Sequence, residues 1–245
     1  MRSRLPAGLK QTLRRLGSPV GSVEAVRTSR PEIVLTFDDG PDPEGTPAVL
    51  DALAAHGATA TFFVLLTRVR RHPELLDRVR RAGHEIGLHG VDHQRLTRFS
   101  PAEARTRTRT ARAELEERTG APVRWFRPPY GALTPGTWLA VRRSGLVPVL
   151  WGPTTWDWRD VPQADRVDKA QAGARAGAVL LAHDAFAGVA DGAADDGQGL
   201  VAPVVDRFDL VDRVLTAYET RGLRGRSLGD ALTRGRLVRA ARFQK

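Results

Sequence analysis

Cysteine is absent from the 245-residue chain, methionine occurs once, and lysine occurs only at positions 10, 169 and 245. Without cysteine, disulfide bridges and thiolate metal sites are excluded, and the redox compartment stays open. No stretch approaches the about 20 apolar residues of a membrane-spanning helix. The first 20 residues also lack the uncharged core of a signal peptide. These absences favour a cytoplasmic location, with association with the cell envelope as the alternative.

Positive charge is abundant and comes almost entirely from arginine, with a net charge of +10 and a pI near 11.1. Such a balance makes nucleic acid an obvious partner to consider. However, the arginines are spread over many predicted helices, and the 6% of aromatic residues do not alternate with them as in a base-stacking surface. We therefore expect no nucleic-acid partner. Weak contact with a membrane surface or an anionic polymer stays open, as does the oligomeric state.

Predicted strands and helices alternate along the chain, with strands at 33–37, 60–64, 85–88, 123–126, 146–151, 178–182 and 223–227. This alternation predicts parallel βαβ units, in an open doubly wound sheet or a closed barrel. Polar residues gather after the predicted strands, which favours the barrel. We therefore predict an α/β fold, a distorted (β/α) barrel of about seven to eight parallel strands. It would be a single domain at 31–234, between a basic N-terminal segment (1–30) and a basic C-terminal tail (235–245).

The apolar run 33–37 ends in two adjacent carboxylates, Asp38 and Asp39, followed by Gly40 and Pro41. Neighbouring side chains of a strand point to opposite faces, so the two carboxylates can share a site only where the strand gives way to a loop. Gly40 and Pro41 are expected to provide that break. A carboxylate pair at the mouth of a buried strand indicates a metal site or a proton-transfer site. An ordinary Asp-Gly-Pro turn is the alternative.

Two histidines, His89 and His93, follow the strand predicted at 85–88. A spacing of four residues places both rings on one face of a helical turn, within reach of one ion. Together with Asp39 they would supply two neutral nitrogens and one carboxylate oxygen to a divalent cation and leave coordination positions open. The same donor set is used by iron(II) oxygenases, which is an alternative within enzymes.

Three further motifs follow later strands. Residues 127–131 (Arg-Pro-Pro-Tyr-Gly) offer an arginine for a carboxylate and a rigid turn that can aim a backbone N–H, or else a proline-stiffened cover for the barrel end. Residues 156–158 (Trp-Asp-Trp) place an acid between two indoles, which bind sugar faces or fill a core. His183 follows the most apolar predicted strand. It could be a core histidine or a general acid.

A low-complexity segment, 188–199, carries Asp191, Asp195 and Asp196 among glycines and alanines. It lacks the regular acidic spacing and the closing glutamate of a known calcium loop. We interpret it as a flexible, solvated acidic loop that could act as a lid.

In this order, the motifs resemble those of the polysaccharide deacetylase family, the carbohydrate esterases of family four that include chitin and peptidoglycan deacetylases. The resemblance spans roughly residues 31–234, and five motifs in order are far more specific than any one of them. It implies a metal-dependent hydrolase that removes the acetyl group from an N-acetylated sugar or polysaccharide by means of a metal-activated water. Zinc is the expected metal, with cobalt as the alternative.

The resemblance also implies a role for ten residues. The metal ligands would be Asp39, His89 and His93. The catalytic residues would be the general base Asp38, the general acid His183, Arg127 that orients Asp38, and Asp157 that holds His183. On the substrate side, the backbone N–H of Tyr130 would stabilise the oxyanion, and Trp158 and Leu181 would line the acetyl pocket.

Two positions depart from the family pattern. Gly90 stands where serine or threonine usually follows the first metal histidine, which removes a hydroxyl that could steady the loop. Thr154 stands where an earlier aspartate is common. Neither departure removes a metal ligand, the base or the acid. They keep open a catalytically weak or inactive carbohydrate-binding relative, and an enzyme that removes O-acetyl groups, as an acetylxylan esterase does.

Overall fold

A computed structural model describes residues 21–193 and 201–244 as an alternation of strands and helices. The strands in these ranges are β1 (Ser22–Arg27), β2 (Glu32–Asp38), β3 (Thr61–Leu65), β4 (Glu85–Gly90), β5 (Trp125–Phe126), β6 (Val147–Pro148), β7 (Val179–His183), β8 (Arg224–Arg226) and β9 (Arg236–Ala240). The α-helices there are α1 (Gly45–Ala55), α2 (Leu66–Arg71), α3 (Pro73–Arg81), α4 (Pro101–Thr119), α5 (Pro135–Arg143), α6 (Gln163–Gln171), α7 (Arg207–Thr220) and α8 (Leu228–Leu232).

Strands β2 to β8 form one parallel sheet in the order β6-β5-β4-β3-β2-β7, and β8 also pairs with β2. All seven residues of β2 are buried, because the sheet is covered on both faces. The curled sheet of seven parallel strands confirms the predicted distorted (β/α) barrel. Since the strands are parallel, their carboxyl ends meet at one mouth. There Asp38 of β2 lies opposite His183 of β7 in the register.

The two remaining strands, β1 and β9, pair antiparallel and lie across the gap between β6 and β7. Val23 of β1 bridges Val149, just after β6, and Ala25 bridges Ala178, just before β7. Strand β1 thus precedes the predicted boundary at 31, and β9 follows the predicted boundary at 234. The sequence pattern missed both strands because they are short and mix charged with apolar residues. The first 20 residues of the basic N-terminal segment lie outside the described residues.

Besides a small cluster of Leu65, Ala187 and Ala193, two apolar clusters build the core of the described residues. The larger one lies between the sheet and the helices and includes Phe37, Phe62 and Leu180. The smaller one fills the barrel interior, where Phe63 and Trp125 are fully buried. Burial of each such side chain contributes roughly 1.5–3 kcal/mol. Because the interior below the mouth is filled, polar chemistry is confined to the carboxyl ends of the strands.

Capping signals in the sequence set several helix boundaries. Helix α4 begins after Ser100, whose hydroxyl accepts the backbone N–H of Glu103 while Glu103 bonds back to the backbone N–H of Ser100, and it ends at Gly120 with φ 61°. The short helices α2 and α8 were not predicted, and the strand predicted at 146–151 shrinks to β6. Within the described ranges, no helix combines the length and apolar character that crossing a membrane requires.

Candidate active site

The adjacent carboxylates Asp38 and Asp39 enter the same buried site at the end of β2. Asp39 has φ 76°, a left-handed conformation that is uncommon outside glycine. This turn of the backbone rotates the second carboxylate to the side of the first, which an extended strand does not allow. The predicted break after β2 is therefore present, but it begins at Asp39 itself, one residue before Gly40.

Asp39, His89 and His93 form a cluster in which each residue offers one donor atom, and these atoms lie within 4.8 Å of one another. Oδ1 of Asp39 lies 3.3 Å from Nε2 of His89 and 3.4 Å from Nε2 of His93. This Oδ1 is buried and makes no hydrogen bond to any described residue. A buried carboxylate oxygen that faces two imidazole nitrogens fits a divalent cation with one oxygen and two nitrogen ligands.

The protonation states of the cluster suit a cation. Burial raises the pKa of Asp39, but the neighbouring imidazoles, His93 foremost, outweigh burial and hold this pKa well below its usual range, so the carboxylate is ionised near pH 7. Burial lowers the pKa of His93 to about 4, so its ring is neutral near pH 7. Nδ1 of His89 lies 2.8 Å from the carbonyl oxygen of Arg127. That carbonyl accepts the Nδ1 proton and leaves Nε2 as the free ligand nitrogen.

The loop between the two histidines is not the helical turn that the spacing predicted, and that prediction is wrong. His89 lies in β4, and Gly90 turns the chain out of the strand with φ 141°. A Cβ at Gly90 would lie 2.8 Å from the carbonyl oxygen of Asp92, so this backbone requires glycine. The loop is held instead by Asp92, both of whose carboxylate oxygens lie 2.9 Å from Nη2 of Arg107.

Asp38 is paired with a buried arginine. Nη1 of Arg127 donates to Oδ1 of Asp38 and to the hydroxyl of Thr36, both at 2.7 Å. The Arg127 side chain has no solvent exposure and stacks at 4.2 Å on the ring of Phe63, which belongs to the apolar cluster inside the barrel. One oxygen of Asp38 is thus fixed by Arg127. The other, Oδ2, faces His89 with 4.0 Å between Oδ2 and Nε2.

His183 forms a pair with Asp157 at the same mouth, at the end of β7, the strand next to β2. Oδ1 of Asp157 lies 2.7 Å from Nδ1 of His183, and Oδ2 accepts the backbone N–H of His183 at 2.6 Å. Burial lowers the pKa of His183, but the charge of Asp157 and its hydrogen bond outweigh burial and raise this pKa to about 9. His183 is therefore protonated near pH 7 and can donate a proton from Nε2.

Residues 25–149 match the family model for polysaccharide deacetylase. The chain belongs to the polysaccharide deacetylase family. It is 40% identical over 168 residues to a chitooligosaccharide deacetylase from Bradyrhizobium sp., covering 68% of this chain and 74% of that protein. It is 37% identical over 165 residues to the peptidoglycan-N-acetylglucosamine deacetylase PgdA from Listeria monocytogenes, covering 67% of this chain and 34% of that protein.

Solved structures agree with this family and with the fold. A peptidoglycan N-acetylglucosamine deacetylase superposes with a TM-score of 0.73 at 27% identity, covering 87% of this chain and 93% of the other. Peptidoglycan deacetylase PdaC from Bacillus subtilis gives a TM-score of 0.69 at 28% identity, covering 83% of this chain and 90% of the other.

The expected substrate-side residues of this family member lie around the same mouth. Tyr130 has φ 58°, and its ring lies 4.4 Å from that of His93. Trp158 packs edge-on against His183, with 5.3 Å between ring centroids. Leu181 lies two residues before His183 on β7, so both side chains point to the same face of the sheet. All three residues therefore border the candidate deacetylase site.

The left-handed backbone conformation of Trp156, with φ 56°, separates its indole from that of Trp158. Its ring is contacted by the Arg159 guanidinium at 4.4 Å and by Nζ of Lys169 at 4.3 Å. These cations cover Trp156, whereas the Trp158 indole lies against His183 of the His183–Asp157 pair. The departure Thr154 is buried and bridges to Leu181 of β7, so it belongs to the strand edge rather than to the His183 pair.

Sequence reasoning missed Asp184, which braces the loop of Asp38 and Asp39. Its Oδ1 accepts the backbone N–H of Gly40 at 3.1 Å, and a Cβ at Gly40 would collide with its carboxylate. Burial raises the pKa of Asp184 to about 7. Its position directly after His183, at the end of a buried strand, repeats the pattern that drew attention to Asp38 and Asp39, and that pattern could have revealed it.

The acidic segment after β7 differs from its prediction in the part that is described. Residues 189–191 form a short 3₁₀ helix, and Asp191 is buried rather than solvated. Asp195 and Asp196, and the lid proposed for this segment, lie outside the described residues.

Proposed function

We propose that this polysaccharide deacetylase family member is a metal-dependent hydrolase that removes the acetyl group from an N-acetylated sugar or polysaccharide. One observation carries the proposal. The cluster of Asp39 with two imidazoles lies at the same barrel mouth as a carboxylate held by Arg127 and a protonated histidine held by Asp157. Hydrolysis of an amide needs these three elements: an electrophilic centre, a base and an acid.

The donor set of Asp39, His89 and His93 suits zinc, with cobalt as the alternative. When bound there, such a cation polarises a carbonyl group and lowers the pKa of a water towards about 7. The protein fixes the donors in advance, since His89 is oriented by the Arg127 carbonyl and Asp39 by its left-handed backbone. Two neutral rings and one carboxylate leave a divalent cation with net positive charge, which favours an oxyanion.

Asp38 is the proposed general base. Because Oδ1 is bound by Arg127, Oδ2 is the atom that takes the proton from the attacking water. Arg127 holds the carboxylate in one orientation, and its own burial prevents it from swinging into the substrate. Asp39 differs from Asp38 because no arginine among the described residues bonds to it and its Oδ1 faces the two histidines.

His183 is the proposed general acid. Asp157 holds the ring through Nδ1, so Nε2 carries the proton that goes to the departing amine nitrogen. An amine is a poor leaving group from an amide unless its nitrogen is protonated, and the proton from His183 would protonate it. Asp157 also binds the backbone N–H of His183, so it fixes both the ring and the main chain.

On the substrate side, the backbone N–H of Tyr130 is proposed to stabilise the oxyanion, while Trp158 and Leu181 line the acetyl pocket. The left-handed conformation of Tyr130 supports this assignment, because strained residues gather at functional sites. A small apolar wall suits an acetyl methyl group, and the edge of Trp158 beside His183 brings such a wall next to the leaving group.

Acetate release tests the proposal. Chitooligosaccharides, peptidoglycan fragments, N-acetylglucosaminyl glycosides and acetylxylan are incubated with the protein, with and without added Zn²⁺ or Co²⁺. We expect metal-dependent release from an N-acetylated substrate, and none from the Asp38→Asn control. Release from acetylxylan alone would instead identify an O-deacetylase. Tight oligosaccharide binding without release from any substrate, with zinc bound, would identify an inactive binding relative.

A further inference from the structure

We infer that Asp191, held by Arg68 and Arg71, is a positioning residue for the metal site. The inference rests on the proposed metal-binding role of Asp39, His89 and His93. Asp191 ends the 3₁₀ turn after β7, in a segment whose acidic composition predicts solvation. Its side chain is only 3% exposed, so Asp191 is a buried carboxylate and not a solvated one.

Two main-chain groups of this segment bond directly to metal-site residues. The N–H of Ala187 donates to Oδ2 of Asp39 at 3.1 Å, which leaves Oδ1 as the oxygen that faces the imidazoles. The N–H of His93 donates to the carbonyl oxygen of Asp191 at 2.7 Å. The segment therefore orients one ligand through its side chain and another through its backbone.

The carboxylate of Asp191 fixes the turn that presents these groups. Oδ2 accepts two hydrogen bonds, one from the backbone N–H of Gly188 at 3.1 Å and one from Nη2 of Arg68 at 2.8 Å. Oδ1 pairs with Nη2 of Arg71. The turn is thus closed on itself and tied to two arginines of α2, so its carbonyl is held in the direction of His93.

Arg68 links this turn to the loop that carries Asp39. Its Nη1 lies 2.9 Å from Oδ2 of Asp42, three residues after Asp39, and its Nη2 donates to the carbonyl of Phe186 at 2.8 Å. Helix α2 also reaches the loop between the two histidines, because the N–H of Thr67 donates to the carbonyl of Val91 at 2.9 Å. All three loops that surround the proposed cation are therefore fastened to one short helix.

Loss of the Asp191 carboxylate would leave the largely buried Arg68 with Asp42 as its one carboxylate partner among the described residues, and it would release the turn. Groups that orient metal ligands typically change metal affinity by about 10–100-fold when they are removed. A purely structural role would instead lower the unfolding temperature and leave the zinc affinity of the folded protein unchanged. Metal affinity therefore separates the two roles.

The experiment compares zinc affinity, measured by competition with a chromophoric chelator, in the full chain and its variants. Asp191→Ala is expected to weaken zinc binding by about 10–100-fold. Asp191→Asn, which can still accept the Gly188 N–H, should fall in between. The matched control is Asp77→Ala, because Asp77 also pairs with two arginines, Arg80 and Arg81, but on an exposed face of α3. The control should bind zinc as the wild type does.

The absorption spectrum of bound Co²⁺ gives a second readout, because it reports the geometry of the ligands. A changed spectrum in Asp191→Ala supports the inference. Wild-type zinc affinity in Asp191→Ala, with affinity lost in Asp39→Ala, overturns the inference alone, whereas a wild-type chain that binds no zinc overturns the proposed metal site as well. If Asp191→Ala does not fold, Arg71→Ala decides, since this side chain is 46% exposed: weaker zinc binding supports the inference and wild-type binding overturns it.

Discussion

Nη1 of Arg127 lies 2.7 Å from Oδ1 of Asp38, and neither side chain reaches solvent. This contact makes two neighbouring carboxylates unequal, because in the described part of the chain Asp39 has no arginine partner and faces two imidazoles. The division gives each residue a separate experimental signature.

Asp39→Ala should abolish tight metal binding, since it removes the oxygen at the centre of the donor cluster. Asp38→Asn keeps the size of the side chain and should keep the metal, but turnover should fall by at least about 100-fold because amide nitrogen cannot take the proton. Metal content by atomic absorption and acetate release measure both effects. Equal metal binding by wild type and Asp39→Ala would contradict the assignment.

Replacing Arg127 with alanine should lower both the free energy of unfolding and the activity of the protein. It leaves the Asp38 carboxylate buried beside apolar residues without its partner, which costs about 3–5 kcal/mol. Urea unfolding followed by circular dichroism measures the free energy of unfolding. A change below about 1 kcal/mol would show that water replaces the guanidinium without difficulty.

Deacetylation should fall as pH rises through the pKa of His183. Asp157 raises this pKa to about 9, so the acid form is present below that pH and lost above it. A nearby divalent cation would move the limb to lower pH, since it disfavours a second positive charge. In Asp157→Asn the alkaline limb of kcat should shift further to lower pH. An unshifted limb would mean that His183 is not the group that titrates.

Gly90→Ser restores the residue type that the family usually carries, yet we expect it to harm this protein. The backbone at φ 141° disfavours any side chain, and a Cβ would press on the Asp92 carbonyl. The strain should cost roughly 1–3 kcal/mol of stability and weaken zinc binding through the displaced His93 loop. Thermal unfolding and chelator competition test this, and a more stable variant would contradict it.

Gln244→Ala should lower turnover several-fold without changing zinc affinity. The Gln244 side-chain amide donates to the carbonyl of Tyr130 at 3.0 Å, and its backbone N–H donates to Leu133 at 2.9 Å. It therefore steadies the turn whose N–H is proposed to bind the oxyanion. Steady-state kinetics with zinc in excess provide the measurement, and an unchanged kcat would remove Gln244 from the site.

Local patterns in the sequence were enough to predict the barrel and to bring Asp38, Asp39, His89 and His93 to one mouth. This worked because parallel strands place their carboxyl ends together, whatever the details of the loops. The exact conformation of the loops was beyond reach. The His89 to His93 spacing suggested a helical turn, whereas Gly90 leads into an irregular loop held by Arg107, fourteen residues beyond His93.

Residues that act through long-range contacts could not be identified from the sequence, because local patterns do not show which distant residues meet. Asp191 looked solvated because its neighbours are small and acidic, and its arginine partners lie on a helix about 120 residues earlier. Strands β1 and β9 are 209 residues apart between Arg27 and Arg236, and each acquires a pairing partner only once the barrel has brought them together.

The pairing of β1 with β9 also determines where the chain enters and leaves this domain. Ser22 lies opposite Ala240, so the first and last strands that are described run side by side. A short linker could join these ends, and the protein should therefore accept circular permutation with new termini in an exposed turn such as that at Gly173. A permuted chain that folds and binds zinc would show that the barrel does not depend on the order in which its halves are synthesised.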